Sequence, residues 1–226
     1  MHRRLLRRER RAPVASRRGR RRIAGILIRT MSPEPVTAER TYHSLKRDIL
    51  TGRHRPGAAL NLQRLADEHG ISVSPVRDAI HRLVGERLVQ VSPGGGFQTI
   101  VPTARDLYNL FSWNEQILRH ALRHPVQDLA AGIALPIEAT GDDAGDLAAA
   151  TASFFGAVAI ASGNAEIIHA VASVSDRLFL VRSRESLNIK GIGQEIERLI
   201  DLARNGRAAA LRTALREYHR RRLRRV

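Results

Sequence analysis

The sequence predicts a mainly α-helical protein, in which an N-terminal winged helix-turn-helix (three helices and a β-hairpin wing) precedes an all-α helical bundle. Two observations support this prediction. Between residues 37 and 101, three stretches with helical apolar spacing are followed by two β-prone runs around a glycine-rich turn. After Pro102, apolar residues recur at helical spacing almost to the end of the chain.

Composition and charge narrow the possible functions. The chain has 226 residues, 43% of them apolar, which is enough to bury a core in one or two domains. It contains no cysteine, which excludes disulfides, thiol catalysis and thiolate metal sites. The net charge is +16, and this excess favours polyanions as partners.

Much of this charge lies in an arginine-rich arm, residues 1–36, that we predict to be disordered. Residues 1–30 alone hold twelve arginines and one glutamate, which repel one another and bury little. Two interpretations stay open: the arm contacts DNA, or the native chain starts at Met31. The apolar run Ile23–Ile28 is too short for a membrane span or a signal peptide. We therefore expect a cytoplasmic protein without a membrane partner.

The predicted winged helix-turn-helix domain covers residues 37–102. Apolar residues at helical spacing and helix-capping residues predict its first two helices. The first helix spans residues 37–52 and ends at Gly52. The second runs from Asn61, a good N-cap, to His69, and Gly70 supplies a left-handed C-terminal residue. The apolar stripe of the first helix consists of Tyr42, Leu45, Ile49 and Leu50.

The third helix is predicted to begin with Ser74 as its N-cap and Pro75 as its first helical residue. The two β-prone runs that follow, Leu88–Val91 and Phe97–Val101, flank the turn sequence SPGGG and predict a hairpin. The buried stripe of the helix is predicted to be Val76, Ala79, Ile80, Leu83 and Val84.

The rest of the chain, residues 103–226, is predicted to form a second, helical domain. Capping residues, glycines and asparagines separate its helices. The predicted helices are Thr103–Arg123, Asp143–Ser162, Ala165–Glu185, Gln194–Asn205 and Ala208–Leu223.

A helix-turn-helix holds its second helix away from the body of the domain, so that the N-terminal end of that helix can enter the DNA major groove. The hydroxyls of Ser72 and Ser74 could then reach phosphates or bases, and Arg77 could donate to guanine or phosphate. His81 follows Arg77 by one turn on the same face. Glycines 94–96 would let the wing backbone approach DNA closely. Sequence-independent phosphate contacts are predicted for Lys46, Arg53, His54 and Arg55.

Residues 38–101 resemble the DNA-binding domain of the GntR family of bacterial transcription regulators. The stretches that carry the resemblance are YHSLKRDILTGRHRPGAAL, LQRLADEHGISVSPVRDAIHRL and ERLVQVSPGGGFQTIV. The resemblance implies a sequence-specific repressor that binds a palindromic operator as a homodimer. Val73 stands where the family often has arginine, so an unusual operator or weaker affinity is expected. The DNA contacts implied by the resemblance are Gln63, Ser72, Val73, Ser74, Arg77, Gly95 and Gly96.

Residues 103–224 resemble the helical effector-binding domain of the FCD (FadR-like) branch, through DLYNLF, SFFGAVAIASGN and RSRESL. That branch carries a metal site facing an organic-acid pocket. Here the first two ligand positions fall on Thr151 and Phe155 and a third near Ile196, none of which suits a metal, so we expect no metal and no other cofactor. The candidate ligand-pocket residues implied by the resemblance are Asn114, Thr151, Phe155, Tyr218 and His219.

Alternatives remain for both domains. The helical domain could be a dimerisation domain without a ligand, or it could take a small organic acid or a hydrophobic effector. An apolar pocket would be lined by Phe154, Phe155, Ile168 and Leu178. The whole chain could instead be a non-specific nucleic-acid-binding protein driven by its arm. An enzyme is not expected, because catalytic triads, paired carboxylates and a phosphate loop are missing from the sequence.

Overall fold

The computed structural model describes residues 33–123 and 144–226. Residues 1–32, which include Met31 and most of the predicted arm, lie outside the described residues. Within the described ranges the chain forms eight helices and three short strands. They are α1 (Pro33–Leu50), β1 (Ala59–Leu60), α2 (Leu62–His69), α3 (Val73–Gly85), β2 (Val89–Val91), β3 (Phe97–Thr99), α4 (Ala104–Ala121), α5 (Ala144–Ala161), α6 (Ala165–Asn188), α7 (Ile192–Arg204) and α8 (Ala208–Leu223).

The first three helices pack around one hydrophobic cluster. Leu45 of α1, Leu65 of α2 and Ile80 of α3 are almost fully buried at its centre. Side chains of this kind each contribute roughly 1.5–3 kcal/mol when they leave water. The amphipathic stripes predicted from the sequence are therefore the faces that hold α2 and α3 together.

A three-stranded antiparallel sheet in the order β1-β3-β2 completes this unit. The sequence predicted β2 and β3 but not β1, because a two-residue strand has no periodicity to detect. Buried Thr99 ties β1 to the wing: its hydroxyl donates to the Arg55 carbonyl at 2.6 Å and accepts from the Ala58 amide at 3.0 Å.

Several capping residues predicted from the sequence are confirmed at the helix ends, and one prediction was wrong. Asn61 caps α2 by accepting from the Arg64 amide at 3.0 Å, and Gly70 ends it with φ +63°. The prediction of Ser74 as the cap of α3 was wrong, because the N-cap is Ser72 and Pro75 is the third helical residue. Proline is tolerated there because the first-turn amides of a helix lack intrahelical acceptors.

The first helix begins earlier than the sequence predicted, at Pro33 rather than Thr37. Proline is favourable in the first turn of a helix. The Pro-Glu-Pro sequence at residues 33–35 therefore forms the start of α1, although the sequence assigned it to the disordered arm.

The five remaining helices form a bundle around a second hydrophobic cluster. It starts at a capping box, in which the Thr103 hydroxyl and the Asp106 carboxylate satisfy each other's backbone amides. Phe154 and Phe155 of α5 and Leu178 of α6 are fully buried in this cluster. The mainly α fold with an N-terminal winged helix-turn-helix is confirmed, whereas the domain boundary near residue 103 stays a prediction.

None of the helices in residues 33–123 and 144–226 combines the length and the apolar character that crossing a membrane requires.

Candidate functional site

The recognition helix α3 has one face in the core and one face in solvent. Its inner face is almost completely buried through Val76, Ala79, Ile80 and Leu83. The opposite face exposes Arg77 and His81, one turn apart. The helix is therefore held firmly by its apolar side while its polar side is free to meet a ligand.

The N-terminal end of α3 carries polar groups that the fold leaves available. Ser72 is the N-cap residue, but its side chain makes no capping hydrogen bond. Ser74 and Arg77 are exposed beside it. A helix N-terminus with free amides and a partial positive charge favours phosphate groups. This end of α3 is therefore chemically suited to an anionic group, and the exposed Arg77 beside it is a potential donor of two parallel hydrogen bonds.

Two of the implied contact residues are engaged elsewhere. Gln63 on α2 is exposed, and its amide donates to the Asp67 carboxylate at 2.9 Å. Val73 is half-buried and packs against the N-terminal hydrophobic cluster. Valine at this position therefore contributes to packing, where an arginine would reach outward.

The wing turn requires glycine because of its backbone conformation, in addition to the close approach to DNA that glycine would allow. Gly95 and Gly96 have φ values of +86° and +78°, a left-handed conformation that residues with a Cβ rarely adopt. Both are exposed, and a Cβ at either position would meet no atom within 4 Å. In the strand pair next to this turn, the ring of Phe97 packs edge-on against His81 at 5.3 Å. His81 therefore links the recognition helix to the wing.

The basic residues at the end of α1 divide into two groups. Arg53 and Arg55 are exposed, and Arg53 pairs with Asp48 at 3.3 Å. Lys46 is different: its ammonium lies 2.9 Å from the Glu86 carboxylate and 2.7 Å from that of Asp176, with only 20% of its side chain exposed. Its predicted phosphate contact stays a prediction, but the ammonium is already engaged by two carboxylates.

In the helical bundle, the structure brings the predicted pocket residues into one buried cluster. Phe155 lies at its centre, 5.3 Å from the ring of Tyr218 and 5.9 Å from that of His219. Asn114 bonds to His219 at 3.0 Å. Thr151 is buried as well, and its hydroxyl donates to the Leu147 carbonyl within α5.

The hydrogen bonds of His219 define its tautomer. Its Nδ1 lies 2.7 Å from the Leu215 carbonyl, which can only accept, so the proton is on Nδ1. Nε2 must then accept from the amide nitrogen of Asn114. Burial lowers the pKa of His219 to about 3, and the positive charges of Arg182 and Arg222 act in the same direction. The imidazole is therefore neutral.

The most unusual member of this cluster is Arg182 on α6, which no sequence pattern marked as a site residue. Only 3% of the residue is exposed, and its guanidinium lies 5.0 Å from the ring centroid of Phe155. Its three nitrogens have no hydrogen-bond partner among the described residues. Within the same part of the chain, the Tyr218 hydroxyl and the Asn114 carbonyl oxygen are also buried and unpartnered. The only sequence signal was an arginine at an otherwise core-facing position of α6.

The residues at the ligand positions implied by the resemblance do not fit a metal ion. Thr151 uses its hydroxyl within its own helix, Phe155 and Ile196 have no donor atoms, and both nitrogens of His219 are engaged. Among the described residues, no group of three or more histidine, cysteine, aspartate or glutamate side chains could hold one. The buried groups of this cluster that lack a hydrogen-bond partner among the described residues include the three guanidinium nitrogens of Arg182, which can only donate.

The chain resembles known proteins in two ways. Residues 37–99 match the model of a family described as bacterial regulatory proteins, gntR family. The HTH-type transcriptional repressor GlaR of Escherichia coli (strain K12) is 32% identical over 76 residues, which cover 34% of this chain and 34% of that protein. The chain thus spans about a third of the length of the curated relatives it matches.

Similarity in fold extends further along the chain. A transcriptional regulator GntR from Rhodococcus sp. RHA1 has a TM-score of 0.71 at 20% identity, covering 84% of this chain and 97% of that chain. Escherichia coli McbR/YncC has a TM-score of 0.61 at 19% identity, covering 82% of this chain and 94% of that chain. At these identities the likeness shows that the fold is shared.

Proposed function

We propose that this chain, whose residues 37–99 match the model of the gntR family of bacterial regulatory proteins, is a sequence-specific DNA-binding transcription regulator. One observation carries the proposal: α3 has a buried apolar face and exposes Arg77 beside a helix N-terminus with a free serine hydroxyl. This is the arrangement that reads a major groove. The similarity to a transcriptional repressor favours repression as the outcome.

The regulator acts on a palindromic operator as a homodimer. One recognition helix reads only a few base pairs, and two helices placed roughly 34 Å apart read two half-sites one DNA turn apart. A two-fold dimer matches the symmetry of such an operator. The helical bundle, which is separate from the DNA-reading face, supplies the dimer contact.

Arg77→Ala tests the DNA-reading role. We expect it to reduce the preference for the DNA upstream of the chain's own gene over scrambled DNA by about 1–3 kcal/mol, because a fork donor to a guanine edge is lost. Fluorescence anisotropy on both DNAs measures this. The matched control is Arg198→Ala, an exposed arginine of α7 that pairs with Glu217, which should leave the preference unchanged.

The same assay separates the proposal from binding driven by the arm. A chain that starts at Met31 should keep its preference for its own DNA. Equal binding to both DNAs that disappears with residues 1–30 and ignores Arg77→Ala would show a non-specific basic protein instead.

A small-molecule effector is the second part of the proposal, and the buried cluster around Arg182 carries it. The Arg182 guanidinium contacts the Phe155 ring but has no hydrogen-bond acceptor among the described residues, and burying it in this state costs several kcal/mol, which an anion at that place would recover. Arg182 and the Tyr218 hydroxyl can donate to a carboxylate, and the free carbonyl oxygen of Asn114 accepts from a hydroxyl. The effector class that matches these groups is a small hydroxycarboxylate, bound without a metal.

A thermal-shift experiment tests the effector site. The wild-type protein should be stabilised by a hydroxycarboxylate, by about 2.7 kcal/mol at a hundred times its Kd, and not by the matching amide. Arg182→Met should remove the response and should itself raise Tm, because it removes an uncompensated buried charge. Arg119→Met, on the exposed side of α4, serves as control.

Loss of stability in Arg182→Met, together with no response of the wild type to any hydroxycarboxylate, would contradict the effector site. The helical bundle would then be a dimerisation domain alone.

A further inference from the structure

Lys46 of α1 lies at the meeting point of three helices. Its ammonium bonds to Glu86 at 2.9 Å, to Asp176 at 2.7 Å and to the Tyr42 hydroxyl at 3.1 Å. Tyr42 in turn donates to the other oxygen of Glu86 at 2.6 Å. Burial alone would lower the pKa of Lys46, but these hydrogen bonds raise it well above its usual value.

The two carboxylates come from functionally different parts of the chain. Glu86 is the C-cap residue of the recognition helix α3, whereas Asp176 lies in the middle of α6, in the helical bundle. One side chain of α1 therefore connects the end of α3 to the bundle. The end of α1 also abuts α6 directly, since a Cβ on Gly52 would come within 3.1 Å of Leu180.

The charges of this cluster oppose a contact between Lys46 and a DNA phosphate. One ammonium faces two carboxylates, so the cluster has a net negative charge that repels DNA phosphates. The pKa of Asp176 is raised, mainly because the carboxyl is buried. The negative charge of Glu86 raises this pKa further, whereas the hydrogen bond and the positive charge of Lys46 lower it. Arg53, just after the end of α1, pairs with Asp48, and 66% of its side chain remains exposed to solvent.

We infer that Lys46 is a positioning residue for DNA binding, which holds the recognition helix in a fixed orientation on the helical bundle through Glu86 and Asp176. The inference rests on the proposed function of α3. It also gives the bundle a physical connection to the DNA-reading surface, because a shift of α6 moves Asp176 and thus the cation that holds the end of α3.

The test compares the salt dependence of binding to the chain's own upstream DNA for Lys46→Met, Asp176→Asn and the double variant. Positioning predicts that both single variants weaken binding by a similar factor, roughly 2- to 30-fold, with an unchanged slope of log K against log salt. The double variant should be no weaker than either single variant, because the two residues form one interaction. Lys46→Arg should retain most of the affinity.

Arg53→Met provides the contrast, because loss of a true phosphate contact lowers the salt slope by about 0.9. The inference is overturned if Lys46→Met lowers the slope in the same way while Asp176→Asn binds as well as the wild type or better. Circular dichroism confirms that each variant is folded, and Lys46→Arg covers the case in which Lys46→Met is not. If the wild-type protein itself shows no preference for its own DNA, the proposed function fails first and this inference falls with it.

Discussion

Replacing Arg222 with methionine is expected to lower the free energy of unfolding by about 3–5 kcal/mol. Arg222 of α8 is 2% exposed and binds Glu185 of α6 at 2.7–3.0 Å and Glu195 of α7 at 2.9 Å. Its guanidinium also lies 3.3 Å from the ring centroid of Tyr218. Methionine would leave the buried carboxylate of Glu185 without this counter-charge, while Glu195 would keep its 3.8 Å contact with Arg221. Urea denaturation followed by circular dichroism measures the loss.

Two variants show whether the lost charge is the cause. Arg198→Met removes an exposed arginine whose oxygen partner on Glu217 is 3.8 Å away, and it should cost less than about 1 kcal/mol. Adding Glu185→Gln to Arg222→Met should recover part of the stability, because it removes the unpaired buried carboxylate. A cost for Arg222→Met no larger than that of the exposed control would show that this ion pair does not hold α6, α7 and α8 together.

The parts of the fold that the sequence predicted well are those fixed by neighbouring residues. The Thr103–Asp106 capping box and the Asn61 cap depend on side chains three residues from the amides they meet. The buried stripe of α3 follows from its helical period. In contrast, the position of the α3 cap was wrong by two residues, because Ser72 and Ser74 are equally suitable cap residues and Pro75 fits the first turn from either start.

The features that the sequence could not predict depend on partners far along the chain. Lys46 is followed by arginines at the end of α1, so a phosphate contact was the natural interpretation, yet its two acidic partners are Glu86 and Asp176. The two-residue strand β1 exists because Thr99 of the wing fixes the loop before it. No local pattern encodes either contact.

The two candidate sites, on α3 and in the helical bundle, also differ in how much of each could be predicted from the sequence. The exposed face of α3 follows from the helical period and from the resemblance, and the cluster of Phe155, Tyr218 and His219 follows from the resemblance. Arg182 belongs to the stretch RSRESL that carries the resemblance, but an arginine on a helix is usually solvated, so nothing in the sequence marked it as buried. Its burial without a hydrogen-bond partner among the described residues became evident only when α6 was placed against α5 and α8.

The second large effect concerns pH, and it follows from the burial of His219. Its pKa is about 3 in the folded protein and about 6.5 in an unfolded chain. Between these values the unfolded chain binds a proton that the folded protein does not. The free energy of unfolding should therefore decrease by about 1.4 kcal/mol for each pH unit as the pH falls from 6.5 towards 3. This contribution is fully present above pH 6.5 and progressively lost below it.

His219→Gln isolates this contribution. Glutamine does not titrate, so the variant should lose stability less steeply than the wild type between pH 6.5 and 5, by about 1.4 kcal/mol per unit. His120→Gln, on the exposed end of α4, should keep the wild-type slope. Urea denaturation at several pH values measures all three, and equal slopes for His219→Gln and the wild type would contradict the assignment. Protonation of His219 places a charge where Nε2 must accept from Asn114 and adds to the positive charges of Arg182 and Arg222.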